Sequence, residues 1–306
     1  MLKGWTLFRY RLMLQVVGLI RQLFSYRLGI RCASAVVKYI HPFLVSQQPD
    51  YIRGLHSVFD DRPKVSDAWQ VHRSIVGVTQ FHTSHYIHSD PNWISHCRLT
   101  VHGADKVKQA SQSGNGVLVM TYHLHFNMFF CSLLGTLGLP VTTIAMDPRE
   151  SGMFSQFGEQ AVRMYAGAEK HFQGGRFAKV KPNGQVRPII RALDENHLVV
   201  TANDFPDVFD DKNRKTYPFL NTRLSCPTGT VKLAVKRNCP VVIGYLEWSG
   251  GDQFVMHLDV INTDSGNDPE SQVDLIMKKY LSSLAQVVEH APGLWEGWKW
   301  IGQQEE

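Results

Sequence analysis

Gly114-Asn115-Gly116-Val117-Leu118-Val119-Met120-Thr121-Tyr122-His123-Leu124-His125 is a turn signal, a short unbroken apolar run and then two imidazoles. An apolar run of this length behind glycine reads as a strand buried on both faces, the pattern of a central strand in a parallel sheet. The sequence that follows keeps the same rhythm. Phe129 to Leu137 reads as a helix ending at Gly138 and Pro140, and Val141 to Ala145 as a strand. Phe154 to Ala166 and Val186 to Leu193 read as helices, His197 to Thr201 as a strand, Gly229 to Val235 as a helix and Val241 to Tyr245 as a strand. This alternation predicts an α/β fold with a mainly parallel sheet covered by helices. In such a sheet the active site lies outside the carboxyl ends of the strands, which is where His123 falls. An imidazole there can serve as a base at neutral pH.

Composition agrees with a core-forming chain: 306 residues, 43% hydrophobic and 19% charged. The five cysteines (Cys32, Cys97, Cys131, Cys226, Cys239) are scattered and form no C-x-x-C pair, so neither a disulfide framework nor a zinc ribbon is expected. A reducing, cytoplasmic setting follows. The net charge of +5 is unevenly spread, because no acid precedes Asp50 while Lys3, Arg9, Arg11, Arg21, Arg27, Arg31 and Lys38 do. The rest of the chain is thus slightly acidic, which argues against a protein that grips nucleic acid along its surface.

Within that basic N-terminus, only nine uncharged residues separate Arg11 from Arg21, against roughly twenty needed to span a bilayer. Arg21 and Arg27 interrupt the apolar run and no small-residue cleavage site follows, so it does not read as a signal peptide. Trp5, Phe8, Leu12, Val16, Leu19 and Leu23 recur at steps of three or four, an apolar stripe flanked by cations. That pattern predicts a helix lying in a membrane interface. The following stretch, Tyr39 to Phe81, shows short apolar groups broken by Pro42, Pro49 and Pro63, and Val71 to His88 reads as a helix. Residues 1–98 are taken as an N-terminal helical layer and 99–306 as the α/β core of a single structural domain. His82, His85 and His88, at steps of three, are expected to form a polar helix face.

Several segments together resemble one family. Gly116 to His123 is similar to the strand leading to the catalytic histidine of the bacterial lipid A lauroyl/myristoyl acyltransferases, part of the glycerolipid acyltransferase superfamily with its HxxxxD/E motif. Val101-His-Gly-Ala-Asp105 resembles the segment before that strand; Gly138-Leu-Pro140 and Asp147-Pro-Arg149 resemble the next strand and its basic residue. Gly174-Gly-Arg176 and Ile190 to Val200 look like the helix and strand before the family's aspartate-containing loop, here Asn203-Asp204-Phe-Pro-Asp207. Phe219 and Pro227-Thr228-Gly229 resemble the stretch that opens the following helix, and Gly293-Leu-Trp-Glu-Gly-Trp298 the tryptophan-bearing C-terminus. One departure stands out: five residues after His123, where the family carries Asp or Glu, the chain has Met128, and five after His125 it has Phe130.

The resemblance implies an acyltransferase in which His123 takes a proton from a hydroxyl or amine acceptor, a glycolipid or small metabolite, as it attacks an acyl thioester on an acyl carrier protein or on CoA. It implies no cofactor, no metal and a peripheral position on the cytoplasmic side of the inner membrane. Asn127 or Asp204 would replace the missing acid, and His125 is the alternative base. Arg149, Arg176, Thr228 and Gly229 would bind substrate or the oxyanion. Lys179 and Lys181, with the two arginines, would steer an acidic carrier. Two other readings compete. His123-Leu-His125 is also the H-x-H spacing of metal-dependent hydrolases, which would need further ligands. The same fold without its chemistry would be a lipid- or carrier-binding protein.

Overall fold

The computed structural model describes residues 2–44, 48–147, 158–180, 186–204, 213–261 and 268–301. The apolar run forms the strand β2 (Val117–Thr121), and all five of its residues are buried. Successive side chains of a strand point to opposite faces, so complete burial means that the sheet is covered on both. Gly116 opens it at a φ of +67°; a Cβ there would lie 2.8 Å from the Cα of Leu193, so only glycine fits.

Beside β2 lie β5 (Leu198–Ala202) and β8 (Val241–Gly250), both parallel to it, with Val117 opposite Leu198 and Leu118 opposite Val241. β3 (Val141–Met146) and β4 (Phe177–Val180) continue the parallel set beyond β5. On the other side, β8 turns through Gly250 and Gly251 into the antiparallel β9 (Gln253–Ile261), and β1 (Arg98–His102) pairs parallel to β9 at the edge. The order of the seven-stranded sheet is β1-β9-β8-β2-β5-β3-β4, and a separate hairpin joins β6 (Arg214–Phe219) to β7 (Thr222–Pro227). The helices of this part are α5 (Ala104–Ser111), α6 (Asn127–Leu134), α7 (Gly158–Glu169), α8 (Arg187–Asp194), α9 (Gly229–Lys236), α10 (Pro269–His290) and α11 (Trp298–Ile301). The mainly parallel α/β sheet and the strands read from sequence are present. Residues 154–157 of the expected helix Phe154–Ala166 lie outside the described residues.

The N-terminal layer is built from α1 (Leu2–Leu23), α2 (Tyr26–Leu44), α3 (Gln48–His56) and α4 (Arg62–Ile87), with α1, α2 and α4 packed on one another. Gly77 of α4 lets the backbones meet, since a Cβ there would sit 2.4 Å from the carbonyl oxygen of Ala33. The helix read from Val71 begins earlier, at Arg62. Asp61 caps it by accepting from the N–H of Lys64, and Pro63 occupies the first turn, where a missing N–H costs nothing. On α1, Met13, Val17 and Ile20 face the core, while Phe8, Leu12, Leu19 and Leu23 are exposed, the last at 65%. The apolar stripe therefore points outward. The side chains of Trp5 and Arg9 lie outside the described residues. Among the described residues, no helix is long and apolar enough to cross a membrane.

One expectation is corrected. His82 and His85 do not form a polar surface; both are buried, with only His88 exposed. The His82 ring lies 4.1 Å from that of Phe129, tilted by 43°, and bonds the Tyr26 hydroxyl, and His85 stacks on Trp93 and pairs with Asp90 at 3.2 Å. The aromatic layer between α4 and the sheet thus uses imidazoles as flat, mainly apolar plates. Burial pushes the imidazole of His82 well below its usual range, and lowers that of His85 to about 4 in spite of Asp90. Unfolded imidazoles titrate near ~6.5, so as pH falls the unfolded chain takes up these protons first. Stability held above that pH is lost between it and about 4. For His85 alone the loss is roughly 3 kcal/mol at pH 4. Urea unfolding at pH 7.5 and pH 4 should show a smaller drop for His85→Gln than for the parent protein; equal drops would refute this assignment.

Candidate active site

His123 follows Tyr122 directly past the end of β2, and Asn203-Asp204 follow the end of β5. Because β2 and β5 are neighbours in parallel register, Thr121 opposite Ala202, their ends bring His123 and Asp204 together. The carboxylate of Asp204, with no exposed side-chain surface, accepts from His123 Nδ1 at 2.7 Å on Oδ1 and from the His123 backbone N–H at 2.8 Å on Oδ2. The indole N–H of Trp295 donates to the same Oδ2 at 2.7 Å. The hydroxyl of Tyr280 on α10 lies 3.2 Å from Oδ1 while it donates to the Thr121 carbonyl at 2.7 Å. Burial, then the nearby carboxylate, raises the pKa of Tyr280 and keeps it a donor.

This geometry sets the state of the imidazole. A carboxylate with only acceptor oxygens requires a proton on Nδ1, so the neutral ring carries its lone pair on Nε2. A quarter of the His123 side chain is exposed. A partly open imidazole oriented by a buried carboxylate is the arrangement that serves as a general base in acyl transfer. The carboxylate that holds the ring therefore comes from the segment after β5 and not from position 128. Met128 sits in the first turn of α6 and packs against the core.

The three residues 123–125 are also held from the C-terminus. Leu124 and Trp295 form a short antiparallel bridge, in which the Glu296 N–H donates to the His123 carbonyl at 3.0 Å and the His125 N–H to the Leu294 carbonyl at 3.3 Å. His125 is buried, with Nε2 2.7 Å from Nδ1 of His72 and Nδ1 3.3 Å from the carboxylate of Glu296. Both ring nitrogens of His125 are engaged inside the protein, whereas the His123 ring is partly exposed. Asn127 does not orient the ring either. In the orientation that satisfies its amide, its nitrogen donates to the carbonyls of Leu124 and Tyr122, which tightens the loop after β2.

Of the residues expected to bind substrate, Thr228 and Gly229 open α9 at the same rim. Asn203, next to Asp204, ties them there by donating to the Pro227 carbonyl at 2.7 Å and the Thr230 hydroxyl at 3.0 Å. Arg176 lies elsewhere: it precedes β4, at the amino ends of the parallel strands, and pairs with Glu195 at 3.1 Å. It is not brought to His123. Lys179 is exposed on the edge strand β4, and Arg149, Lys181 and Asp207 lie outside the described residues. A cavity of about 780 Å³, lined by Lys106, Gln109, Ile243, Asp259 and Lys279, opens at the amino end of β8 and so at the rim away from His123. A smaller one of about 170 Å³, lined by Tyr245, Glu247, His290 and Leu294, adjoins the segment that pairs with His123–His125.

Among the described residues no group of three His, Cys, Asp or Glu is placed to hold a metal ion. His123 and His125 instead turn to two separate carboxylates. Burial pushes the Cys97 thiol up to about 12 despite its contact with the Tyr26 hydroxyl. No family model matches the sequence, and no curated protein matches it.

Asp204→Ala should destabilise the fold by about 2–6 kcal/mol, because the Trp295 indole and the His123 amide would each lose a buried acceptor at ~1–3 kcal/mol apiece. Equilibrium denaturation measures this, and a loss below about 1 kcal/mol would contradict the assigned network.

Proposed function

We propose that the protein is an acyltransferase, with His123 as general base and Asp204 as its orienting carboxylate. The donor is an acyl thioester on a carrier protein or CoA, and the acceptor a hydroxyl or amine of a glycolipid or small metabolite. The observation that carries this reading is the 2.7 Å contact between His123 Nδ1 and a fully buried carboxylate at the carboxyl ends of two adjacent parallel strands. In the reaction, Nε2 takes the acceptor's proton as its oxygen or nitrogen bonds to the thioester carbonyl carbon. The tetrahedral intermediate then expels the thiol by breaking the C–S bond, and the imidazolium returns the proton to the departing sulfur. No acyl-enzyme forms. The start of α9, whose backbone dipoles favour negative charge, is the candidate for stabilising the oxyanion.

The decisive measurement uses radiolabelled lauroyl-CoA and lauroyl-carrier protein, with glycolipid and small amine acceptors. Transfer should fall by about 10²–10⁴-fold in His123→Ala. An inert parent protein would favour the non-catalytic lipid- or carrier-binding alternative, and equal rates in both proteins would remove His123 from the chemistry.

Peripheral attachment to the inner face of a membrane belongs to the same reading. The exposed Phe8, Leu12, Leu19 and Leu23 of α1 continue into exposed Phe24 and Leu28, beside exposed Arg11, Arg27 and Arg31. Apolar side chains beside cations, in a segment without acids, suit an anionic lipid surface. Replacing Leu19 and Leu23 together by Glu should cut co-sedimentation with phosphatidylglycerol vesicles by at least tenfold, since two leucines contribute about 3 kcal/mol or more. Unchanged binding would rule α1 out as the contact.

A further inference from the structure

Beside the His123–Asp204 pair lies a second set of polar groups that the proposed chemistry does not use: Glu296, His125 and His72. Their nitrogens and oxygen form a line, with Glu296 Oε1 3.3 Å from His125 Nδ1 and His125 Nε2 2.7 Å from His72 Nδ1. Both imidazoles are buried. Trp69 stacks on His72 at 5.0 Å and the Tyr51 ring lies 4.1 Å from it, so the ring is held flat between α3 and α4. The Thr79 hydroxyl donates to the His125 carbonyl at 3.2 Å, fixing the backbone below the ring. Three ionisable side chains in an unbroken hydrogen-bond line are costly to bury unless each is satisfied.

Proton directions follow from chemistry. Glu296, a third of whose side chain is exposed, would be raised by burial, but Lys299 at 3.2 Å, then His125 and His123, hold it well below the usual carboxylate range. An ionised carboxylate only accepts, so His125 carries its proton on Nδ1. Its Nε2 is then an acceptor, and the short contact requires His72 to donate from Nδ1. Both neutral rings are thereby fixed in the same tautomer. Among the described residues, charged or titratable groups that face the line include Lys299 on α11, His123 and the phenol of Tyr51.

We infer that Glu296 is a positioning residue that holds His123 from two directions: its backbone N–H fixes the His123 carbonyl, and its carboxylate locks the His125–His72 pair two residues further on. The inference rests on His123 being the base. Its consequence is that residues 123–125 are clamped between Asp204 and Glu296, so that the His123 ring cannot rotate away from Asp204 during proton transfer. Sub-ångström placement of this kind is what a base needs when the acceptor must approach in line with the thioester.

The test uses full-length protein with 15N-labelled histidine, in which long-range 1H–15N spectra report each tautomer, His72→Gln and His125→Gln providing the assignments. Both rings should be protonated at Nδ1 at pH 7.5. Glu296→Gln keeps the shape but removes the charge, and should weaken the Nδ1 preference of His125, seen as a mixed tautomer population. The same variant should reduce kcat for lauroyl transfer by at least about tenfold with KM held, and Glu296→Asp should recover part of it. A proton on Nε2 of His125 in the parent protein, or an unchanged tautomer population in Glu296→Gln, overturns the array. Altered tautomers with unchanged kcat overturn the positioning role. A parent protein inert toward every thioester refutes the reading of His123 as a base and the positioning role with it, while the tautomers still decide whether the array exists.

Discussion

The carboxylate of Asp204 has no exposed surface, and around it converge the backbone and side chain of His123, the indole of Trp295 and the hydroxyl of Tyr280. Burying a carboxylate costs several kcal/mol unless donors replace its lost water. Here the donors come from the end of β2 and from the C-terminal segment, and the Tyr280 hydroxyl of α10 lies alongside, so one carboxylate gathers three distant parts of the chain. The folded positions of Trp295 and Tyr280, both fully buried, are best understood from that requirement.

The surrounding architecture serves the same point. β2 is buried over its whole length because the sheet is covered on both faces, and its register with β5 alone decides that His123 meets Asp204. The C-terminal bridge to Leu124 then prevents the loop after β2 from opening. The two imidazoles of His123 and His125, identical in composition and two residues apart, receive opposite treatment. One is partly exposed with a buried carboxylate behind it, and the other is buried with both ring nitrogens engaged. The difference is one of environment, set by which elements pack around each ring.

The N-terminal layer adds a second division of labour. α1 turns Met13, Val17 and Ile20 inward and leaves another apolar row outward, so its hydrophobicity exceeds what the core consumes. The interior of the layer, by contrast, accepts imidazoles among aromatic rings, and His82 and His85 make it sensitive to acid.

Much of this was legible in the residues. The apolar run Val117–Thr121 after Gly114 and Gly116 determined a central buried strand, the alternation after it determined a mainly parallel α/β sheet, and strand polarity placed His123 just past the carboxyl end of that strand. Asp204 could be named as a candidate partner because it too follows an apolar strand. The tertiary structure decided the rest. That Asp204 and not Asn127 holds the ring, that Arg176 belongs to the opposite rim, and that His72 and Glu296 meet His125 depend on pairings across 53 to 171 residues of sequence. Local periodicity reports which face a side chain takes along its own element. Which side chains meet across elements is set by strand order and register, and no local pattern encodes these.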